Sequence, residues 1–330
     1  MTSYDSFCCF RSSSNGRARV LWELNTACNL ACSFCHAIPN VEPGIEHADI
    51  IAGLRILRRW GIDEVIFSGG EPMLRHDIFT IMEEARSLGF AVDLCTNGTL
   101  IDKDVARRLS DLLSEVSVSL DAADAANHDA LRRQLGSWSK AVGGIKNLVT
   151  AGLEVHVISI VTDRTASSIE ETTRFVRGLG AESVTLLGLM PYPERNGSLQ
   201  AGKHLRVVQP HEGTPDRLSL HTRLTLEAHL PEIRHRLHGF RINSKCVVPS
   251  QRMGFCGAGS NVLGVDARGN LLPCILLKGM REARRLLDYE EYDPRLALQT
   301  FEWSGRLINM REHKGGCIAV ESECWRELRA

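Results

Sequence analysis

Long apolar runs and an excess of positive charge are both missing from this sequence of 330 residues. The longest apolar stretches, such as LEVHVISIV at 153–161, have the length of a strand and fall short of the roughly 18 residues that a membrane span requires. Lysine and arginine number 39 against 40 aspartates and glutamates, so the basic surplus typical of nucleic-acid-binding proteins is absent. We therefore expect neither a membrane nor a nucleic acid as a partner.

The start of the chain also lacks a feature, because MTSYDSFCCFRSSSNG contains no apolar segment of the kind found in a signal peptide. Its composition is typical of a flexible tail, which we assign to residues 1–18. Together these observations predict a cytoplasmic protein.

Cysteine is absent from residues 96–245, although the chain contains eleven. An odd number of clustered cysteines in a reducing compartment favours metal binding over a disulfide framework. One cluster, in ACNLACSFC at 27–35, has three members: Cys28, Cys32 and Cys35. A structural zinc site normally takes four ligands, whereas a cubane iron–sulfur cluster held by three thiolates keeps one iron open to bind a reactive molecule.

Strand-like and helix-like patterns alternate from residue 20 to residue 190. The predicted strands are RVLWELN (19–25), EVIFSGG (64–70), AVDLCTN (91–97), EVSVSLD (115–121), EVHVISIV (154–161) and SVTLLGL (183–189). Helices are predicted near 47–60, 76–88, 102–113, 139–151 and 166–178, where apolar residues recur at i, i+3 and i+4. Six such repeats predict an α/β fold with a parallel sheet curled into an open, partial (β/α)6 barrel. Chemistry in barrels of this kind lies at the carboxyl ends of the strands, so the loops after the strands are the candidate site.

The rest of the chain shows a different pattern. A sixth helix at 222–237 contains Pro231, which is expected to interrupt it, and the polar connection 190–221 before it is either a substrate lid or a solvated loop. Beyond residue 240, NVLGVDARGNLLPC (261–274) predicts a β-hairpin that turns near Gly269. We therefore divide the chain into the tail (1–18), a barrel (19–240) and a separate small C-terminal domain (241–330).

Several of these segments carry a family resemblance. CNLACSFC (28–35) resembles the C-x3-C-x2-C signature of the radical S-adenosylmethionine (SAM) superfamily, including the aromatic Phe34 before the third cysteine. SGGEP (68–72), TNG (96–98) and SLD (119–121) follow in order at the ends of the next three predicted strands. HDALRRQLGSW (128–138) resembles a segment of the subgroup that carries an auxiliary-cluster domain.

The resemblance implies a role for each of these residues. Cys28, Cys32 and Cys35 would hold a [4Fe-4S] cluster whose open iron binds SAM, and reductive cleavage of SAM would give a 5′-deoxyadenosyl radical. Gly69 and Gly70 would let the backbone approach the methionine end of SAM. The remaining cofactor-binding candidates are Glu71 for the SAM ammonium, Arg132 for its carboxylate, Ser119 and Asp121 for the ribose, and Phe34 and Asn97 near the nucleoside.

Alternatives to these roles remain open. Ser119 and Asp121 could instead cap a helix, and Arg132 could be a surface arginine with Arg133 as the ligand. Cys95, which lies alone in an apolar strand, is expected to be a core residue.

The C-terminal cysteines resemble those of SPASM and twitch domains. Cys256 and Cys274 form the pattern C-x12-G-x4-C, and the five cysteines after the barrel can complete one auxiliary [4Fe-4S] cluster but not two. We expect Cys256, Cys274, Cys317 and Cys324 as ligands, although the six-residue spacing of the last pair departs from the family pattern. Cys246 is then a hydrogen donor to a substrate radical, a cluster ligand or an inert buried residue.

The resemblance also implies two classes of substrate. The first is a small, polar, sugar-, aminocyclitol- or nucleoside-like molecule of antibiotic biosynthesis, which would undergo dehydrogenation, epimerisation or decarboxylation. The second is a ribosomally made precursor peptide modified by a maturase, a reading that the short segment before the first strand disfavours. A non-catalytic iron–sulfur carrier would not need the SAM motifs. An external electron donor such as flavodoxin or ferredoxin is expected for either enzyme.

Overall fold

The computed structural model describes residues 18–35, 44–188, 192–193, 207–208, 218–245, 247, 262–272, 275 and 284–291. The predicted tail, apart from Ala18, lies outside these residues, as does most of the 190–221 connection. The five C-terminal candidate cysteines lie outside them as well: Cys246, Cys256, Cys274, Cys317 and Cys324. No helix of the described part is long and apolar enough to cross a membrane.

Six parallel strands form the body of the sheet, as the apolar stretches predict. They are β1 (Arg19–Glu23), β2 (Glu64–Ser68), β3 (Ala91–Thr96), β4 (Glu115–Ser119), β5 (Val155–Val161) and β6 (Ser183–Gly188). Each pairs with the next in parallel, starting with Arg19 opposite Glu64. The α/β class and the partial barrel are therefore confirmed.

Helices connect the strands at the predicted places. They are α1 (His47–Arg59), α2 (Ile78–Ser87), α3 (Lys103–Ser110), α5 (Ser137–Thr150) and α6 (Ile169–Gly178). A further helix, α4 (Ala125–Arg132), lies in the segment that we identified only by its resemblance. The side chain of Asp124 begins this helix by accepting a hydrogen bond from the Asn127 backbone N–H at 2.8 Å.

Helix α7 (Leu220–Arg236) continues through Pro231, contrary to the predicted interruption. Proline removes one backbone hydrogen bond and crowds the preceding turn, which costs about 3 kcal/mol in a helix interior. Three leucine and isoleucine side chains of α7, and Leu237 directly after it, are almost fully buried and offset this cost; the three are Leu226, Leu230 and Ile233.

The strands after α7 join the barrel sheet instead of forming a unit apart from it. β9 (Arg241–Lys245) pairs in parallel with β6 and so adds a seventh strand of the βα type. β10 (Val262–Val265) pairs in parallel with β1 at the opposite side, and β11 (Asn270–Leu272) returns antiparallel from it. The hairpin and its turn at Gly269, where φ is +80°, are thus confirmed, but the hairpin belongs to the barrel.

The short remaining strands are β7 (Tyr192–Pro193) paired with β8 (Val207–Val208), and β12 (Arg284–Arg285) paired with β11. The large sheet has the order β12-β11-β10-β1-β2-β3-β4-β5-β6-β9. Apolar side chains of the strands and of the helix faces toward them form one core, in which Trp22 and Phe67 are fully enclosed. The rigid sheet brings the loops after β1, β2, β3 and β4 to one edge.

Candidate active site at the carboxyl ends of the strands

The loop after β1 carries three free thiols. Cys28 and Cys32 are partly buried and Cys35 is exposed. The loop docks on the end of α4, because the backbone N–H groups of Ala31 and Ser33 donate to the carbonyls of Arg132 (3.3 Å) and Leu131 (2.9 Å). Residues 100 positions apart in sequence are thereby fixed against each other.

Burial favours the neutral thiol form of Cys28 and Cys32. Burial raises the pKa of Cys28 to about 11 and also raises the pKa of Cys32. A bound metal centre supplies the positive charge that converts such thiols to thiolates, and binding then releases protons. Three cysteines on one loop, two of them enclosed, therefore fit a cluster held by Cys28, Cys32 and Cys35.

The glycines after β2 let the backbone of this turn lie close to the backbone at the start of the cysteine loop. The predicted approach is to the methionine end of SAM. The Gly70 N–H donates to the Asn25 carbonyl at 2.9 Å, and the Glu71 N–H donates to the Ala27 carbonyl at 2.8 Å. A Cβ atom on Gly70 would lie 2.3 Å from the carbonyl oxygen of Ala27, and Gly69 has a φ of +149°. Both residues therefore fit the turn against the start of the cysteine loop, and contact with SAM stays a prediction for them.

The Glu71 carboxylate binds protein groups, and its contact with the SAM ammonium stays a prediction. It is fully buried, and its oxygens accept hydrogen bonds from the Met73 N–H (3.1 Å), the Thr96 hydroxyl (2.8 Å) and the Asn97 N–H (2.7 Å). Burial raises the pKa of Glu71, although these bonds oppose the shift. Through these hydrogen bonds, Glu71 connects the turn after β2 to the loop after β3.

Asn97 connects that loop to the cysteines. Its side-chain amide donates to Asn29 Oδ1 at 2.7 Å and approaches Cys28 Sγ at 4.0 Å, while its oxygen accepts from Thr99. Asn29 in turn donates to the Thr99 hydroxyl at 2.8 Å. Sequence analysis missed Asn29 and Thr99, and the only signal was that Asn29 lies inside CNLACSFC and Thr99 directly follows TNG.

Asp121 and Arg132 bind each other in a buried ion pair. Arg132 Nε and one terminal nitrogen lie 2.6 and 2.8 Å from the Asp121 oxygens, and the Ile160 N–H donates to the same carboxylate at 3.0 Å. Burial opposes ionisation of Asp121, but the charge of Arg132 outweighs it and lowers the pKa of Asp121.

Asp121 and Arg132 are engaged in this ion pair, and contact of Asp121 with the ribose and of Arg132 with the SAM carboxylate stay predictions. The alternative of a surface arginine is wrong, because Arg132 is only 7% exposed, and Arg133 ends α4 with a φ of +52°. Neither Ser119 nor Asp121 caps α4, since Asp124 does so. Ser119 is partly exposed at the end of β4, and its contact with the ribose stays a prediction.

The remaining residues of the motif at 128–138 stabilise the connection between α4 and α5. Asp129 accepts hydrogen bonds from the Gly136 N–H (2.7 Å), the Ser137 hydroxyl (2.8 Å) and the Trp138 N–H (2.7 Å). His128 is buried and accepts from the Asp121 N–H at 3.2 Å. The motif at 128–138 is therefore a structural unit that positions Arg132 beside the cysteine loop.

Phe34 and Cys95 complete the predicted set. The Phe34 ring lies 5.1 Å from the Arg132 guanidinium carbon, which keeps this aromatic residue beside the cysteines, while its place near the nucleoside stays a prediction. Cys95 packs against the core, and burial raises its pKa to about 12, as expected of an inert core thiol.

Comparison with known proteins agrees with this arrangement. The family model of the radical SAM superfamily matches residues 22–176, from within β1 into α6. An AdoMet-dependent heme synthase from Nitratidesulfovibrio vulgaris is 26% identical over 266 residues, which cover 77% of this chain and 72% of that protein. Mycofactocin maturase MftC from Mycobacterium ulcerans is 38% identical over 152 residues, which cover 44% of this chain and 40% of that protein.

A solved structure resembles most of the chain. Native anSMEcpe with bound AdoMet and the Cp18Cys peptide superposes with a TM-score of 0.70 and 18% identity, covering 94% of this chain and 96% of that one. The likeness at this identity establishes the fold. Residues 22–176 therefore match the radical SAM superfamily, whose enzymes use a [4Fe-4S] cluster and S-adenosylmethionine.

Proposed function

We propose that this enzyme cleaves SAM reductively and uses the product to abstract hydrogen from a peptide substrate. When bound to Cys28, Cys32 and Cys35, the cluster supplies the electron for cleavage. The observation that carries this proposal is the trio of free thiols on one loop, held at the mouth of the barrel by the loops after β2, β3 and β4. The protein residues described here orient that loop and exclude water beneath it.

A peptide is preferred over the sugar-like substrate because of the proteins that the chain resembles. MftC is named as a maturase, and the anSMEcpe structure contains a bound peptide on a fold that the chain covers almost completely. A fold of this extent therefore accommodates a peptide without the additional N-terminal domain that many maturases carry. The substrate class in this proposal is a ribosomally made precursor peptide.

A second candidate substrate is a small molecule of the heme type. The heme synthase from N. vulgaris matches 77% of this chain, a larger share than MftC does. Relatives of both kinds point away from antibiotic biosynthesis and from a sugar-like substrate.

The C-terminal region adds an auxiliary [4Fe-4S] cluster to this proposal. Cys256, Cys274, Cys317 and Cys324 are its proposed ligands, and Cys246 is a hydrogen donor, a further ligand or an inert thiol. The 241–330 region provides these residues, and a flavodoxin or ferredoxin supplies external electrons. Cys246→Ala separates the three roles: lost product with intact iron indicates a donor, lost iron a ligand, and unchanged activity an inert residue.

The substrate proposal is tested by isotope transfer. The anaerobically reconstituted enzyme is incubated with SAM, a reductant and a deuterated form of the short peptide encoded beside its gene. Deuterium in the 5′-deoxyadenosine and a mass change in the peptide are the expected results. Deuterium transfer from a heme precursor or an aminocyclitol, with none from the peptide, would overturn the peptide assignment.

A further inference from the structure

One nitrogen of Arg132 points at a cysteine of the proposed cluster loop. Two nitrogens of its guanidinium bind Asp121, and the remaining terminal nitrogen lies 3.8 Å from Cys32 Sγ. A guanidinium is planar and rigid, so the contact with Asp121 fixes the direction of this third donor. Hydrogen bonds to sulfur are longer than those to oxygen, and this distance agrees with one.

Asp121 is itself held on several sides. Its side chain is completely buried, the Ile160 N–H donates to one of its oxygens at 3.0 Å, and its own N–H donates to His128 Nδ1 at 3.2 Å. The orientation of Arg132 is therefore set by the ends of β4 and β5, and not by the cysteine loop. Its charge stays close to the sulfur because the side chain has little freedom to move.

The positions of Asp121 and Arg132 relative to Cys32 determine the electrostatic effect on the Cys32 sulfur. The guanidinium lies between the Asp121 carboxylate and Cys32, so the Cys32 sulfur is closer to the positive charge than to the negative charge. A positive donor to a cysteine ligand favours the more negative, reduced form of an iron–sulfur cluster, and hydrogen bonds to the sulfurs are among the factors that set its potential.

We infer that Arg132 is a positioning residue that donates an N–H···S hydrogen bond to Cys32 and raises the reduction potential of the cluster, with Asp121 setting its direction. This inference rests on the proposed function, because it requires that Cys32 ligates the cluster.

The test is a potentiometric titration of the reconstituted cluster without SAM, followed by electron paramagnetic resonance. The Cys28, Cys32 and Cys35 triple Ala variant supplies the signal of any auxiliary cluster, which is subtracted. In Arg132→Met, which keeps the length of the stem but not the donor, we expect the ratio of reduced to oxidised cluster at the wild-type midpoint to fall about tenfold, or about 59 mV for one electron. Asp121→Glu, which keeps the negative charge but displaces the carboxylate that directs Arg132, should shift the potential in the same direction by less.

The adjacent variant Arg133→Met is the matched control and should leave the potential unchanged, since Arg133 is exposed. Iron content and thermal unfolding are measured for every variant, and Arg132→Lys, which keeps a cation, should assemble the cluster if Arg132→Met does not. An unchanged potential in the Arg132 variants with the iron retained would overturn the inference. Loss of the iron from every folded variant of Arg132 and Asp121, Arg132→Lys included, would also overturn it, because a contact that only tunes the potential does not hold the metal. Failure of wild-type protein to cleave SAM despite a normal cluster counts against the proposed function alone.

Discussion

At the scale of single residues, the site depends on buried polar groups whose partners are all within the protein. Glu71 is the clearest example, because its two oxygens accept three hydrogen bonds from two different loops. Replacing one oxygen with an amide nitrogen would place a donor against a donor. The free energy of unfolding in Glu71→Gln should therefore fall by about 1–3 kcal/mol, the usual cost of an unsatisfied buried group.

Chemical denaturation of the apoprotein measures this change. Glu83→Gln, at an exposed position of α2, is the control and should lie within about 0.5 kcal/mol of wild type. Equal stability of the two variants would show that Glu71 does not connect the loops as the distances indicate.

Asp77 gives a prediction that depends on pH. Burial raises its pKa, but hydrogen bonds from Arg75 at 2.9 and 2.7 Å outweigh this effect and lower the pKa to about 2. A carboxyl whose folded pKa lies below the unfolded value of 3.8 stabilises the protein above that value, and the contribution disappears as the pH falls toward 2. Asp77→Asn should thus cost about 2 kcal/mol at pH 7.

The measurement is the difference in unfolding free energy between wild type and Asp77→Asn as a function of pH. The difference should be constant from neutral pH to about pH 5 and shrink below pH 4. A difference that grows on acidification would contradict the assigned ion pair.

At the scale of elements, two glycines allow a test of the contact between the β2 turn and the cysteine loop. A Cβ on Gly70 would meet backbone at 2.3 Å, whereas one on Gly143 in helix α5 would meet nothing within 4 Å. Gly70→Ala should lower stability by about 1–3 kcal/mol and reduce the iron bound after reconstitution, because the loops must separate. Gly143→Ala should raise stability by about 0.5–1 kcal/mol through helix propensity. Full iron content in a Gly70→Ala protein would show that the contact does not order the cysteines.

Helix α7 gives a second test at this scale. Pro231 is exposed and lacks an N–H, so Pro231→Ala restores one backbone hydrogen bond. Part of this gain in stability is lost because alanine, unlike proline, raises the conformational entropy of the unfolded chain. We expect a net stabilisation of about 1–2 kcal/mol. The exposed position His235→Ala serves as the control in the same thermal unfolding experiment. A destabilised Pro231→Ala protein would mean that the helix is distorted at this point.

The elements also show what a sequence can predict. Strands β1 to β6 were predictable because each is a run of apolar, β-branched residues, and the connecting helices have a clear apolar face. β9, with the sequence RINSK, has no such run, and its pairing with β6 depends on the placement of α7. The pairing of β10 with β1 joins residues more than 240 positions apart, which no local pattern encodes.

The site was predictable to the level of loops but not of atoms. The motifs correctly identified which segments meet, since carboxyl ends of parallel strands share one edge of the sheet. They could not show that Glu71, Asp121 and Arg132 are buried and hydrogen-bonded to other protein groups. Such orientations depend on the packing of several loops at once.

At the scale of the whole molecule, one sheet extends from β12 to β9 and includes the segments after α7. In the described part of the chain, the strands after α7 are thus part of the barrel sheet, and an auxiliary cluster is proposed for the same C-terminal region. The triple variant Cys28, Cys32 and Cys35 to Ala should retain about four irons per chain after reconstitution, as one cubane cluster holds. No iron, or about eight, would contradict a single auxiliary cluster.

The central claim is that the three cysteines of the loop after β1 make this protein a SAM-cleaving enzyme. The most direct measurement is the amount of 5′-deoxyadenosine that reconstituted protein forms from SAM under strong reduction. We predict that wild type and the core variant Cys95→Ala form it, and that the triple Ala variant of Cys28, Cys32 and Cys35 forms none. Formation of 5′-deoxyadenosine by the triple variant, or its absence from wild-type protein with a complete cluster, would contradict the account.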